Sequence, residues 1–202
     1  MNKEKILLIG GKGGSIAEGL LKCLNLANYT NITLMEYSKD TALVNLVKDH
    51  IISDVTPDDD FKFIEYLLEL CRYRNIDVII PGSAWEAKII SEYPIPFINE
   101  NITCLVNKYF VIDTCINKQK TYQFLQSHNI EIPKTYTDID SALWSSGESL
   151  IVKPIFGRGS QNIYRVSSRD ELIAVTDYLR IKEIPYLIQE YIGGDEYTVG
   201  VV

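Results

Sequence analysis

Apolar residues fall in short blocks through the first half of the chain, and stretches of helical periodicity separate them. Ile6 to Ile9 is an unbroken apolar block running into Gly10-Gly11, the pattern of a strand buried on both faces that breaks into a tight turn. Ser15 and Glu18 then have the S-x-x-E spacing of a capping box, and Ile16, Leu20, Leu21 and Leu24 recur at helical spacing behind it. Ile32 to Met35 predicts a second strand, Thr41 to Lys48 a weaker helix, and Ile51-Ile52 a third strand. Asp58-Asp59-Asp60 opens a strong helix with Phe61, Ile64, Leu67, Leu68 and Cys71 on one stripe and its charges opposite. Asp77 to Ile80 is the fourth strand, stopped by Pro81-Gly82. This alternation predicts a parallel sheet covered by helices on both faces.

After Pro96 the pattern changes. Tyr93-Pro94-Ile95-Pro96 reads as a connector, and Lys108 to Cys115 and Lys118 to Ser127 as helical stretches leading to Ile132-Pro133. Leu150 to Pro154 and Asn162 to Val166 flank Gly157-Arg158-Gly159-Ser160, the pattern of two antiparallel strands joined by a glycine-rich loop. Ser168 and Glu171 form a second S-x-x-E pair and open a helix to about Leu179. Tyr186 to Tyr191 and Tyr197 to Val202 read as strands on either side of Gly193-Gly194. The expected organisation is an α/β domain over residues 1–105 and an α+β domain over residues 106–202.

A net charge of -7 argues against a nucleic-acid or anionic-membrane partner, which requires a basic face. No apolar run approaches the roughly 20 residues that span a bilayer, so the expected location is cytoplasmic. Cys23, Cys71, Cys104 and Cys115 are widely spaced without a CxxC pair and are expected to be reduced, buried thiols. His50 and His128 are the only histidines, which leaves little for a zinc site or for a base beside a nucleophile; both are expected to be structural or solvent-facing, and no metal ligands are assigned.

Two clusters offer chemistry. The first, Gly10 to Ser15, lies between a strand and a helix N-terminus, where free N–H groups favour a phosphate, and Glu36 ends the second strand as in a dinucleotide fold. No frame there gives G-x-G-x-x-G or G-x-x-x-x-G-K-[ST], so tight turning and close packing account for the glycines equally well. The second cluster gathers Lys118, Lys153 and Arg158 with the Gly157 to Ser160 loop in an otherwise acidic chain. Successive N–H groups of such a loop, the Ser160 hydroxyl and three cations suit a polyphosphate. The same residues also suit an edge-strand lysine and an ordinary hairpin turn.

Taken together, the stretches Asn117-Lys118, Ile130 to Pro133, Ile151 to Pro154, Gly157 to Ser160 and Gln189 to Glu196 resemble the ATP-grasp superfamily, in particular carbamoyl-phosphate-synthase-like carboxylate-amine ligases. Residues 1 to about 105, with Pro81 to Glu86 after the fourth strand, resemble the Rossmann-like domain that precedes the grasp in those enzymes. The resemblance implies ATP as the nucleotide, with Lys118 and Lys153 on its α- and β-phosphates and Gly157, Arg158, Gly159 and Ser160 as a flap over them. It makes Gln189, Glu190, Tyr191 and Ile192 the adenine hinge and gives Glu196 the ribose hydroxyls. The implied reaction activates a small carboxylate as an acyl phosphate for capture by an amine. The alternative, carried by the first cluster, is a Rossmann-type nucleotide-binding or interaction module without ligase chemistry. Two departures stand out. Lys118 and Lys153 occupy positions where carbamoyl-phosphate synthase has arginine, and the sequence stops inside an apolar strand at Gly200-Val201-Val202. The Mg²⁺ ligands of the family's second half are therefore expected outside this chain, which alone is expected to be inactive and either to self-associate through its unpaired edge or to be disordered there.

Overall fold

The computed structural model describes residues 4–11, 15–142, 149–157 and 159–195, together with 197 and 199. It divides into two units, Met1–Asp113 and Thr114–Val202, so the first takes in part of the helical stretch that opens at Lys108.

In the first unit β1 (Ile6–Ile9) is wholly buried, as an apolar block without alternation requires. It lies parallel to β2 (Ile32–Glu36) on one side and to β4 (Val78–Ile80) on the other. β3 (Asp49–Ile52) extends the sheet beyond β2, and the short β5 (Thr103–Cys104) extends it beyond β4, giving the order β3-β2-β1-β4-β5. One face carries α1 (Ser15–Leu26), whose Ala17 and Leu21 pack on Ile6, Leu8, Leu34 and Ile80. The other carries α2 (Asp60–Arg74) and α3 (Ala84–Glu92), which close a core around Leu7, Ile9, Phe63, Leu67, Ile79 and Ile90.

Glycines seat the loops at the carboxyl ends of the central strands. A Cβ on Gly82 would collide with the Ile9 carbonyl, and one on Gly10 with the Glu36 carboxylate. Gly11 has φ +66°, in the left-handed region.

The structure changes several sequence-based expectations. The Tyr93 to Pro96 connector is largely helical: α4 (Pro94–Asn99) starts on Pro94, where a proline's missing N–H costs nothing. The weak helix at Thr41 is a 3-10 segment, Ala42–Leu46. α1 begins on Ser15 itself, and Ile16 is exposed. Phe61 leaves the buried stripe of α2 for solvent beside Tyr93, because the stripe runs through Phe63, Ile64, Leu67, Leu70 and Cys71. All four cysteines are free, but Cys23 and Cys115 are exposed. Burial pushes the Cys71 and Cys104 thiols up to about 12. Both histidines face solvent.

In the second unit α5 (Tyr109–Ile116), which crosses the division, is followed by α6 (Lys118–Ser127). The sheet is antiparallel, in the order β6-β9-β7-β8, with β6 (Thr135–Tyr136), β7 (Leu150–Pro154), β8 (Tyr164–Val166) and β9 (Tyr186–Glu190). α7 (Arg169–Ile181) covers one face: Leu172 and Leu179 pack on Leu150, Val152, Val166 and Ile188. Ser168 caps α7 by accepting from the Glu171 N–H at 3.2 Å, while Glu171 reaches back to the Ser167 N–H at 2.6 Å. Most of the strand expected from Tyr197 lies outside the described residues, and Tyr197 and Val199 themselves are exposed.

Candidate functional site

The site is built on the face of the second sheet that α7 leaves uncovered. β7 alternates: Leu150, Val152 and Pro154 are buried, so Ile151 and Lys153 stand on the opposite face. Lys153 is paired across the ladder with Leu187, and Gln189 with Ile151, which puts Lys153 and Gln189 diagonally on one face. α6 brings its N-terminus to the end of β7, where the Lys118 N–H donates to the Ile155 carbonyl at 3.1 Å. Asn117 caps α6 through the Lys120 N–H at 3.0 Å.

Lys118 and Lys153, distant in sequence, thus converge. Lys118 Nζ donates to the Gly157 carbonyl at 3.2 Å, tying the helix to the glycine loop. Lys153 Nζ donates to Gln189 Oε1 at 2.7 Å and to Tyr122 Oη at 2.8 Å, with the ammonium 5.3 Å from the Tyr122 ring centroid. Lys118 is held below the ordinary lysine value, first by burial and then by the neighbouring Lys153 charge; the Tyr122 oxygen opposes both. Two ammonium groups near enough for the charge of one to disfavour that of the other, in a chain of net charge -7, form a local demand for an anion.

Beside them Lys118, Pro154, Gly157, Gly159, Ser160, Gln161 and Ile163 line a cavity of about 190 Å³. Gly157 (φ +143°) and Gly159 (φ +65°) occupy backbone regions that suit glycine, and Ser160 and Asn162 adopt φ +55°. Gly157, Gly159 and Ser160 lie between β7 and β8, outside either strand, in the kind of turn whose N–H groups can cradle an oxyanion.

Past β9 the chain runs through the expected hinge. Glu190 exchanges backbone contacts with Lys134, its N–H donating to the Lys134 carbonyl at 2.9 Å, and its Oε1 accepts from the Lys134 N–H at 2.9 Å. The Tyr191 N–H donates to the Ser149 carbonyl at 3.0 Å, and the Arg165 guanidinium lies 3.9 Å from the Tyr191 ring centroid. Ile192 is exposed.

Of the residues singled out in the sequence, the structure brings together Lys118, Lys153, Gly157, Gly159, Ser160 and Gln189. The Gln189 side chain is turned in to Lys153. Glu190, Tyr191 and Ile192 follow at the end of β9. Arg158, Glu196 and Lys12 lie outside the described residues. Tyr122 and Thr135 were not singled out; Tyr122 stands one helical turn after Lys118, a spacing that places the two on one face of α6.

In the first unit Glu36 is fully buried and packs on Gly10, so it does not project towards a ribose as a dinucleotide fold requires. Glu86, also buried, accepts from the Tyr37 hydroxyl at 2.8 Å and the Ser83 N–H at 2.9 Å, completing the capping box of α3. Burial raises its carboxyl above the usual range, partly offset by those hydrogen bonds, and burial with Glu86 alongside raises Tyr37. Among the described residues no group of three or more His, Cys, Asp or Glu side chains is placed to hold a metal ion, and no helix is long and apolar enough to cross a membrane.

Residues 115–202 match a family model described as an ATP-grasp domain. Over 99% of its length the chain is 22% identical to the carbamoyl phosphate synthase arginine-specific large chain of Halalkalibacterium halodurans, and equally to that of Bacillus subtilis; it spans 20% of either protein. Among solved structures it is similar to the biotin carboxylase domain of Hydrogenobacter thermophilus 2-oxoglutarate carboxylase, with a TM-score of 0.69, 16% identity and coverage of 95% of this chain and 45% of that one. The L-amino acid ligase of Bacillus licheniformis is similar with a TM-score of 0.67, 13% identity and coverage of 94% and 44%. At these identities the structural likenesses show the fold.

Proposed function

For a chain whose residues 115–202 are of the ATP-grasp domain family and which resembles the carbamoyl phosphate synthase large chain, we propose the nucleotide-holding role in an ATP-dependent carboxylate-amine ligase. The observation that carries this reading is the convergence of Lys118 and Lys153 beside the Gly157 to Ser160 turn. A triphosphate brings about four negative charges, and each nearby ammonium contributes roughly 4 kcal/mol of gross Coulomb energy at 4 Å and an effective dielectric of about 20. Lys118 and Lys153 hold the α- and β-phosphates, Gly157, Arg158, Gly159 and Ser160 close over them, and the backbone from Glu190 to Ile192 meets the adenine edge. Glu196 takes the ribose hydroxyls.

In the reaction a carboxylate oxygen attacks the γ-phosphorus, the bond from the γ-phosphorus to the β–γ bridging oxygen breaks, and ADP leaves. The acyl phosphate then loses inorganic phosphate to an attacking amine. This chain contributes positioning and charge neutralisation. The solved biotin carboxylase domain that shares its fold was crystallised with MgADP and bicarbonate, which supports a nucleotide on this architecture.

Calorimetric titration with ATP tests the reading. Lys118→Ala and Lys153→Ala should each weaken binding about tenfold or more, whereas Lys12→Ala should leave it unchanged. Loss of binding in Lys12→Ala alone would move the nucleotide to the first glycine cluster.

A further inference from the structure

Resting on that reading of the site, the hydrogen bonds around Lys153 assign one further residue, Thr135, to it. Thr135 stands opposite Gln189 on β6, its direct cross-strand partner. Its hydroxyl donates its only proton to the Pro133 carbonyl at 2.8 Å. Its oxygen can therefore only accept, and it does so from Gln189 Nε2 at 2.8 Å. With the amide nitrogen committed to Thr135, the amide oxygen must face the other way, where the Lys153 ammonium, a donor without an acceptor, meets it at 2.7 Å. Both ends of the chain of bonds demand the same amide orientation. Gln189 is buried, so an inverted amide would set an N–H against the ammonium without water to screen it.

Lys153 has three N–H bonds. Gln189 Oε1 takes one and Tyr122 Oη a second. Among the described residues a single N–H remains, and its direction is fixed by the other two. A free lysine end group samples many rotamers, and immobilising it on a ligand costs part of the interaction it makes. We infer that Thr135 is a positioning residue that, through the Gln189 amide, fixes the Lys153 ammonium, so that its remaining N–H is aimed at a nucleotide phosphate before the nucleotide arrives. Thr135 itself does not touch the nucleotide; it acts through Gln189 and Lys153.

The test separates this role from a structural one by asking whether Thr135 still matters once Lys153 is gone. Thr135→Val keeps the shape and strand preference of the side chain but removes the acceptor for Gln189 Nε2. It should weaken ATP binding about tenfold in a protein that remains folded at the titration temperature, checked by far-ultraviolet circular dichroism. Thr135→Ser should restore ATP binding. In a Lys153→Met background Thr135→Val should have no further effect. ATP binding that survives Thr135→Val but fails in Lys153→Met would overturn the positioning role and leave the proposed function intact. ATP binding indifferent to Lys153→Met would overturn the proposed function itself. The same loss from Thr135→Val with and without Lys153 would reduce Thr135 to sheet packing; should Thr135→Val not fold, Thr135→Ala carries the same comparison.

Discussion

Lys118 is the residue whose protonation reports on the site most directly. Burial and the adjacent Lys153 charge disfavour its ammonium in the free protein, so its proton leaves at a lower pH than that of an ordinary lysine. The sign for folding follows. Because the folded value lies below the unfolded one, the charged group costs stability at low and neutral pH, and the cost fades as pH rises through the folded value towards the unfolded one. Bound phosphate reverses the bias. The complex then holds more protons than the free protein between the lowered value and the ordinary one, and affinity falls as pH climbs through that window. Titrations with ATP at a series of alkaline pH values below the ordinary lysine value, in buffers of different ionisation heat, should show proton uptake that vanishes in Lys118→Arg, whose guanidinium stays charged. Equal uptake in both proteins would assign the proton to another group.

At the scale of the elements, placement decides chemistry. Lys153 faces the site because β7 alternates, and Lys118 reaches it because the first turn of α6 is tied to Ile155 at the end of β7. Elements with strong patterns were legible in the sequence: the unbroken β1 block, the acid-led start of α2, and the Leu150 to Pro154 strand. Where the pattern is short or proline-rich the sequence was silent or misleading. β5 and β6 have two residues each, too few for a period, and α4 is built on the very prolines that suggested a connector. The same limit hid Thr135, whose role depends on a register that only the folded sheet supplies. Exposure was the other weak point: Cys23 was expected to be buried and Phe61 sits at a spacing that matched a buried stripe, yet both point to solvent. The Ser168 cap was legible, and it makes its own prediction: Ser168→Ala should destabilise the second unit by about 1 kcal/mol, read as faster amide exchange in α7 with no change in α2. Equal change in both helices would mean that the cap does not act locally.

For the whole molecule, two glycine-rich turns compete for the nucleotide, one in each unit. At the first, Gly10 and Gly82 accommodate Glu36 and the Ile9 carbonyl, so their small size is accounted for by packing within the protein. At the second, Gly157 and Gly159 adopt left-handed or extended positive-φ geometry beside Lys118 and a cavity. A lysine-reactive probe distinguishes the two turns. An acyl phosphate ester of ATP places a reactive carbonyl at the end of the triphosphate, and a lysine amine close to it forms an amide with release of ATP. Peptide mapping after brief exposure should find the label on Lys118 or Lys153, with excess ATP blocking it. Label on Lys12, or label on Lys118 or Lys153 that ATP fails to block, would contradict the assignment of the nucleotide to the second unit.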